Sequence, residues 1–141
     1  MSGIKDRIED ALFLWDTGRH ESAFLMALIA VSAVSRQTYP KMKDRQAFVQ
    51  FLTEADSVRI SVEYRGEIQT MEHILYKWLR CQLVHEGAIP VDIQFVLDEE
   101  QGAMSVRAGG APEFILKLGT GWFHHLIAVA MKPLKSRADG L

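Results

Sequence analysis

Arg80 and His85 are the residues of this sequence whose types and spacing best fit a reaction that needs no cofactor. A histidine with a pKa of about 6.5 can take up or return a proton near neutral pH. A planar guanidinium can hold a phosphate with two hydrogen bonds and stabilise the negative charge that develops in a transition state. The pair therefore suits acid–base chemistry on a phosphodiester.

Three neighbours on the same predicted helix could assist this pair. Lys77 and His73 lie on the same helix line as Arg80 and could neutralise flanking phosphates. Tyr76 could stack on a base or simply pack against the protein. The candidate substrate-binding residues are therefore Lys77, His73 and Tyr76.

Both principal residues also have structural alternatives. Arg80 could form a salt bridge with Glu72, Glu86 or another acid. His85 could be a helix-terminal residue that the helix dipole favours. Five positions on an ideal helix correspond to a rotation of about 140°, so one straight helix does not aim both side chains at one atom. They could converge if the last turn unwinds at Gly87, or if a second copy of the helix packs about a twofold axis.

Other chemistries find less support in the sequence. Zinc needs three or four convergent ligands, and His85-Glu86 lacks the second histidine of a metalloprotease helix. His124 and His125 are adjacent and diverge by about 100° on a helix. Cys81 lies within a helix and is predicted to be an inert, buried thiol. We therefore predict no metal and no cofactor.

The elements that must position these residues are helical in the first 87 residues. Apolar residues at helical spacing predict a first helix that ends near Gly18 and a central second helix from His20 to about Thr38, ended by Pro40. A third, shorter helix follows. Gly87 closes a fourth as a left-handed cap. The predicted apolar stripe of this fourth helix consists of Ile68, Met71, Ile74, Leu75, Trp78, Leu79 and Leu83.

The apolar pattern changes to a period of two in short segments. Alternation over residues 58–64 suggests one strand, and residues 91–97, 104–107 and 114–118 predict a small antiparallel sheet or hairpin set. Thr120 then begins a last helix that Pro133 ends. We thus expect a mostly α fold, a bundle of four or five helices with a β-hairpin elaboration at about 91–118.

Composition and charge narrow the class of protein. A length of 141 residues predicts one domain over 1–141. The chain has 16 Lys and Arg against 18 Asp and Glu, and this net charge of −2 excludes a broad basic surface. A single cysteine indicates a reducing, intracellular setting. The charged N-terminus argues against a signal peptide. The longest apolar run, residues 23–31, is about half of the ~20 residues that cross a bilayer. We expect a cytoplasmic protein without a membrane partner.

The segment Leu79-Arg80-Cys81-Gln82-Leu83-Val84-His85-Glu86-Gly87 resembles the HEPN domain family, which occurs in many prokaryotic toxins and defence proteins. The shared features are Arg-x-x-x-x-His late in a helix, a first helix ending at Gly18, and a central, Ala-rich second helix. The resemblance covers roughly residues 1–87 and the last helix. Active members commonly carry a polar residue directly after the arginine, where this chain has Cys81.

The resemblance implies a metal-independent endoribonuclease that acts as a homodimer, with Arg80 and His85 as catalytic residues. RNA carries its own nucleophile, the 2′-OH, which suits these residue types. The resemblance also implies a nucleotidyltransferase or another antitoxin as a partner. The alternative, which the Cys81 position favours, is a noncatalytic HEPN-like dimerisation module that binds nucleotide, RNA or a protein.

Overall fold

The computed structural model describes residues 2–56, 59–96, 104–109 and 114–139. The chain forms a helical bundle with two small sheets. Its helices and strands, in chain order, are α1 (Ser2–Asp16), α2 (His20–Thr38), α3 (Asp44–Ala55), β1 (Ser61–Tyr64), β2 (Glu67–Thr70), α4 (Met71–His73), the π-helix π1 (Ile74–Cys81), α5 (Gln82–Glu86), β3 (Ile93–Val96), β4 (Val106–Ala108), β5 (Leu116–Gly119) and α6 (Gly121–Asp139).

Helix α2 lies at the centre of the bundle, as its apolar residues on nearly every side predict. It packs against α1, α3, α6 and π1. Phe24 of α2 is fully buried, and its ring stacks on Phe95 of β3 with centroids 4.2 Å apart. Trp15 of α1 stacks on Phe123 of α6 at the same distance, 4.2 Å. These aromatic pairs join the helices to the second sheet in one hydrophobic core.

Helices α4, π1 and α5 run without interruption and form one helix over residues 71–86, here called the composite helix. The Thr70 hydroxyl accepts a hydrogen bond from the His73 amide at 3.3 Å and caps its start. Gly87 ends it with φ of 76°, which confirms the predicted left-handed cap. The wide π turn, with its i→i+5 bonding, was not predicted; such turns are rare and are often found at functional sites.

The predicted fourth helix begins too early. Ile68, assigned to its apolar stripe, lies in β2 and is 74% exposed. Arg65 and Gly66 both have positive φ, 54° and 80°, and this two-residue turn folds the chain back as a β1–β2 hairpin. Hairpin pairing therefore takes residues 67–70 out of the helix. Val58, assigned to the predicted strand, lies outside the described residues.

The hairpin is tied to both the second sheet and the composite helix. The Tyr64 hydroxyl donates to Asp92 Oδ1 at 2.7 Å, and Arg65 Nε donates to Asp92 Oδ2 at 2.9 Å. The Arg65 guanidinium also lies 4.1 Å from the centre of the Trp78 ring in π1. Through these contacts the hairpin is tied to the middle of the composite helix.

The second sheet has the strand order β3-β5-β4 and is mixed. Strands β4 and β5 are antiparallel, as predicted, but β3 pairs with β5 in parallel, and that part of the prediction is wrong. Strand β5 carries the buried Leu116 and Leu118, so it takes the central position and separates its two neighbours. Leu97, placed in the first predicted strand, lies outside the described residues.

Helix α6 continues past Pro133 to Asp139, so the predicted stop at this proline is wrong. Proline has a helical φ and removes only one backbone donor, and the helix keeps its other turns. No helix within the described ranges is long and apolar enough to span a membrane.

Candidate functional site

Arg80 lies in the last turn of π1 and is half-buried. Its guanidinium sits 5.3 Å from the centre of the Tyr76 ring, and Nη1 lies 3.8 Å from the Sγ of Cys81. Its Nε is buried without a hydrogen-bond partner. Among the described residues no carboxylate pairs with Arg80, so the salt bridges considered with Glu72 or Glu86 are not formed there. The guanidinium thus keeps donors for an external anion.

The Tyr76 ring packs against the guanidinium of Arg80. The same ring packs against that of Phe48 in α3 with centroids 5.2 Å apart, while Arg80 covers it from another side. Burial, with a further contribution from Cys81, raises the pKa of Tyr76. Of the two roles considered for this residue, packing is the one its contacts realise.

Cys81 is half-buried and contacts the guanidinium of Arg80 instead of serving only as core. The residue directly after the arginine therefore does contact it, although through a sulfur atom. A thiol is a weak hydrogen-bond acceptor, so it steadies the guanidinium without neutralising it.

His73 lies near Arg45, a basic residue of α3, whereas Lys77 Nζ lies 4.8 Å from the centre of the Trp78 ring. Burial, followed by the positive charges of Arg45 and Lys77, lowers the pKa of His73. His73 also faces a surface groove of about 770 Å³, called here the basic groove, between the start of α3 and the start of the composite helix. Residues of the groove include Lys43, Arg45, Gln46, Gln50, Thr70 and His73.

Two acids lie near the basic groove, Asp44 and Glu67, and Asp44 is already paired. Asp44 Oδ1 lies 2.6 Å from Arg36 Nη1, so its charge does little to offset Lys43 and Arg45. Glu67 opposes the effect of Arg45 and Lys77 on His73 only in part, so positive charge prevails around His73, although the whole chain has a net charge of −2. Anionic ligands would meet this region first.

His85 is exposed, and it has no hydrogen bond or ion pair with any described residue. It lies in α5, which stays α-helical through Glu86 and is closed by the Gly87 amide on the Leu83 carbonyl at 3.0 Å. The last turn does not unwind, so that route to convergence with Arg80 is absent. Among the described residues, no hydrogen bond or ring contact joins Arg80 to His85 within one chain.

Lys43 and Arg45 were missed by the sequence reasoning. The available signal was the run Lys41, Lys43 and Arg45 directly after Pro40, which places three cations within five positions at the start of a helix. The sequence does not show that these cations lie beside the composite helix, because that depends on the packing of α3 against it.

His124 and His125 do point to different neighbours, as predicted. The His124 ring contacts Trp15 at 5.5 Å. His125 Nε2 lies 2.6 Å from Asp56 Oδ1, within ion-pair distance, although the contact is off the direction of a good hydrogen bond. In the described part of the chain, no group of three or more His, Cys, Asp or Glu residues has an arrangement that could hold a metal ion.

Residues 3–62 match the family model Rv1289. No curated protein and no solved structure matches the chain. The Rv1289 match spans α1, α2 and α3 and ends within β1. It therefore includes Lys43 and Arg45 of the basic groove, whereas Arg80 and His85 lie beyond it.

Proposed function

We propose that this chain is a metal-independent endoribonuclease of the HEPN type, acting at a cleft between two copies of itself. The observation that carries the proposal is the guanidinium of Arg80, which is held by Tyr76 and Cys81 and has no acidic partner among the described residues. A partly buried cation without a counterion is suited to receive a phosphate.

In this mechanism a His85 imidazole accepts the proton of an RNA 2′-OH, and the 2′-oxygen attacks the adjacent phosphorus. Negative charge grows on the phosphoryl oxygens, and Arg80 stabilises it through its free N–H groups. The bond to the 5′-oxygen breaks as that oxygen receives a proton. The products are a 2′,3′-cyclic phosphate and a 5′-OH.

The basic groove supports binding of the rest of the strand. Lys43, Arg45 and Lys77 carry charges close to His73, and each could neutralise a phosphate flanking the cleavage site. A bound phosphate would also offset the positive charges that lower the pKa of His73. The groove is thus the expected path of single-stranded RNA.

A second copy would complete the cleft. His85 is exposed near the C-terminal end of the composite helix, and its neighbour Val84 is 50% exposed despite being apolar. Packing two such ends about a twofold axis would cover both valines and bring the two histidines close to the arginines. The two copies of His85 could then act as base and acid in one reaction.

The decisive experiment incubates the purified chain with mixed-sequence single-stranded RNA in the presence of EDTA. We expect cleavage with 2′,3′-cyclic phosphate ends, and no cleavage of the same sequence made with 2′-deoxynucleotides. Activity that disappears with EDTA and returns with a divalent ion would contradict the mechanism. So would cleavage of the deoxy substrate.

One observation favours a second candidate function, a noncatalytic dimerisation module that binds RNA, nucleotide or a protein. No described residue orients the imidazole of His85, whereas a general base is usually positioned by a neighbour. RNA binding without cleavage by a dimer would establish this alternative. In either case a nucleotidyltransferase or another antitoxin is a candidate partner, and co-purification with the product of a neighbouring gene would test it.

A further inference from the structure

Glu72 is a largely buried residue whose carboxylate has no partner among the described residues. Only 5% of the residue is exposed, and no described residue forms a hydrogen bond or an ion pair with its side chain. Its carboxylate oxygens are not among the fully buried, unpartnered side-chain atoms, so they reach the water of an adjacent pocket. A carboxylate that opens into a pocket without a described partner can accept hydrogen bonds from a bound cation.

Glu72 faces a pocket on the side of the molecule where α3 ends and α6 begins. The pocket has a volume of about 270 Å³ and is lined by Asp56, Ile60, Met71, Glu72, Met104, Trp122 and His125. Two of these residues carry carboxylates, and four have large apolar side chains. Its composition is therefore that of a small apolar cavity with an acidic centre.

The two carboxylates differ in what surrounds them. Asp56 has His125 Nε2 at 2.6 Å, so its charge has a partner inside the pocket. Glu72 is the second residue of the composite helix, where the helix dipole favours negative charge. The dipole stabilises the carboxylate but supplies no hydrogen-bond donor to it. The Glu72 carboxylate is thus the acceptor of this pocket that has no partner among the described residues.

We propose that this pocket binds a small organic cation, an alkylamine or an alkylguanidine. Glu72 would accept the N–H groups of the cation, and Asp56 would add to the negative potential. The apolar walls formed by Ile60, Met71 and Trp122 would cover the alkyl part. This site is separate from the cleft proposed for RNA and does not depend on that function.

The test uses n-butylammonium and methylguanidinium as probes, followed by thermal unfolding and by calorimetric titration. We expect at least one of them to raise the melting temperature of the wild-type chain in a concentration-dependent way. Sodium chloride at the same ionic strength and n-butanol, a neutral molecule of similar shape, should not.

The Glu72→Gln variant should bind the cation about 10- to 100-fold more weakly, because it keeps the shape of the side chain but loses its charge. Glu86→Gln, an exposed position on the same composite helix, should bind as the wild type does. Comparing the two variants in the absence of ligand also checks that Glu72→Gln folds.

Three results would overturn the proposal. The first is a wild-type chain that neither probe stabilises. The second is equal binding by wild type and Glu72→Gln, which would place the ligand elsewhere. The third is stabilisation by Mg²⁺ or Zn²⁺ with none by the amines, which would assign the pocket to a metal ion. Because none of these measurements uses RNA, failure here leaves the nuclease proposal untouched, and the reverse also holds.

Discussion

Glu72 and His73 are consecutive residues of the composite helix, yet they line pockets of opposite charge. His73 faces the basic groove beside Arg45, while Glu72 faces the acidic pocket beside Asp56. The groove is the larger space, about 770 Å³ against about 270 Å³, and its cations Lys43 and Arg45 are exposed. One helix therefore separates two sites by a rotation of one residue, about 100°.

The difference between the groove and the pocket shows that exposure to water determines how closely like charges can be placed. In the basic groove, like charges stand close together because water screens them. In the acidic pocket only 5% of Glu72 is exposed, so water screens its charge less than it screens the charges of the groove. We expect substitutions in the groove to change binding with little effect on folding, and those in the pocket to change stability as well.

The largest expected effect concerns the cleft at the C-terminal end of the composite helix. His85→Ala should lower the rate of RNA cleavage by about 10²–10⁴-fold, since it removes the proton-transfer group. Arg80→Ala should cost at least as much, because charge stabilisation is lost where charge develops. Arg80→Lys should also be impaired, since an ammonium does not replace the two-pronged guanidinium. Single-turnover cleavage assays measure these rates.

Arg59→Ala, at an exposed arginine outside the cleft, is the matched control and should cleave RNA at the wild-type rate. Circular dichroism should report the same helical content for every variant. An unchanged rate in folded His85→Ala would remove the mechanism and leave the binding module as the function.

The second effect is on dimer formation, which the proposed cleft requires and the acidic pocket does not. Val84→Asp should raise the dimer dissociation constant at least about tenfold, because it places two acids at the proposed twofold contact. Sedimentation velocity at micromolar concentration measures it. Amine binding near Glu72 should stay unchanged, since that pocket lies within one chain.

Phe13→Asp provides the control for this assembly, because Phe13 is an apolar residue on α1 that is 68% exposed. It should leave the dimer intact. If Phe13→Asp dissociates the dimer and Val84→Asp does not, the two composite helices do not meet and the shared cleft is wrong.

The third effect compares how the two carboxylates of the acidic pocket contribute to the free energy of unfolding. Asp56→Asn removes the ion-pair partner of His125 and should lower the free energy of unfolding by up to about 1 kcal/mol. Glu72→Gln removes a negative charge from the pocket that also holds Asp56, and should raise it by at most about 1 kcal/mol without ligand. Urea denaturation measures both. Changes of the same sign would mean that Glu72 has a partner in solution.

The fourth effect is electrostatic and belongs to the basic groove. Arg45→Ala should weaken RNA binding and reduce the slope of log K against log salt by about 0.7, the value for one phosphate contact on a single strand. Arg19→Ala, at an exposed arginine that does not line the groove, should keep the wild-type slope. Fluorescence anisotropy across a salt series distinguishes them, and equal slopes would place the RNA on another face.

The smallest expected effect is the titration of His73. Burial and the charges of Arg45 and Lys77 lower its pKa in the folded state, so the unfolded chain binds a proton more readily as the pH falls below about 6.5. The contribution of His73 to stability is therefore present above that pH and is lost as the pH falls through the folded pKa. Stability should decline less steeply with acid in His73→Gln.

The same titration can be followed directly by NMR of the His73 ring. Lys77→Ala should raise the pKa of His73 towards its usual value, because it removes one of the charges that lower it. An unchanged pKa in that variant would mean that the charge of Lys77 does not act on His73 in solution.

The helices were predictable because their signals are local. Pro40 forbids continuation of α2, and the Gly87 cap needs only a residue that accepts positive φ. The β2 strand was not predictable in the same way, since Ile68 continues the helical spacing of the composite helix. Only the two-residue turn at Arg65 and Gly66 reveals that pairing with β1 wins over that spacing.

The candidate sites divide along the same line. The types and spacing of Arg80, His85, Lys77 and His73 are visible in the sequence and identify a possible cleft. The absence of a described acidic partner for Arg80, and its contacts with Tyr76 and Cys81, are properties of packing. No spacing rule states which of several nearby acids a guanidinium will meet.

The sequence by itself determined where most helices begin and end, because caps, prolines and apolar periods act within a few residues. Tertiary structure alone decided the parallel pairing of β3 with β5 and the meeting of Asp56, Glu72 and His125 in one pocket. Those three residues lie on separate elements, and only the packing of α6 beside the end of α3 brings them together. The tertiary structure also leaves only 5% of Glu72 exposed and places it at this pocket, because residues from other elements pack around it.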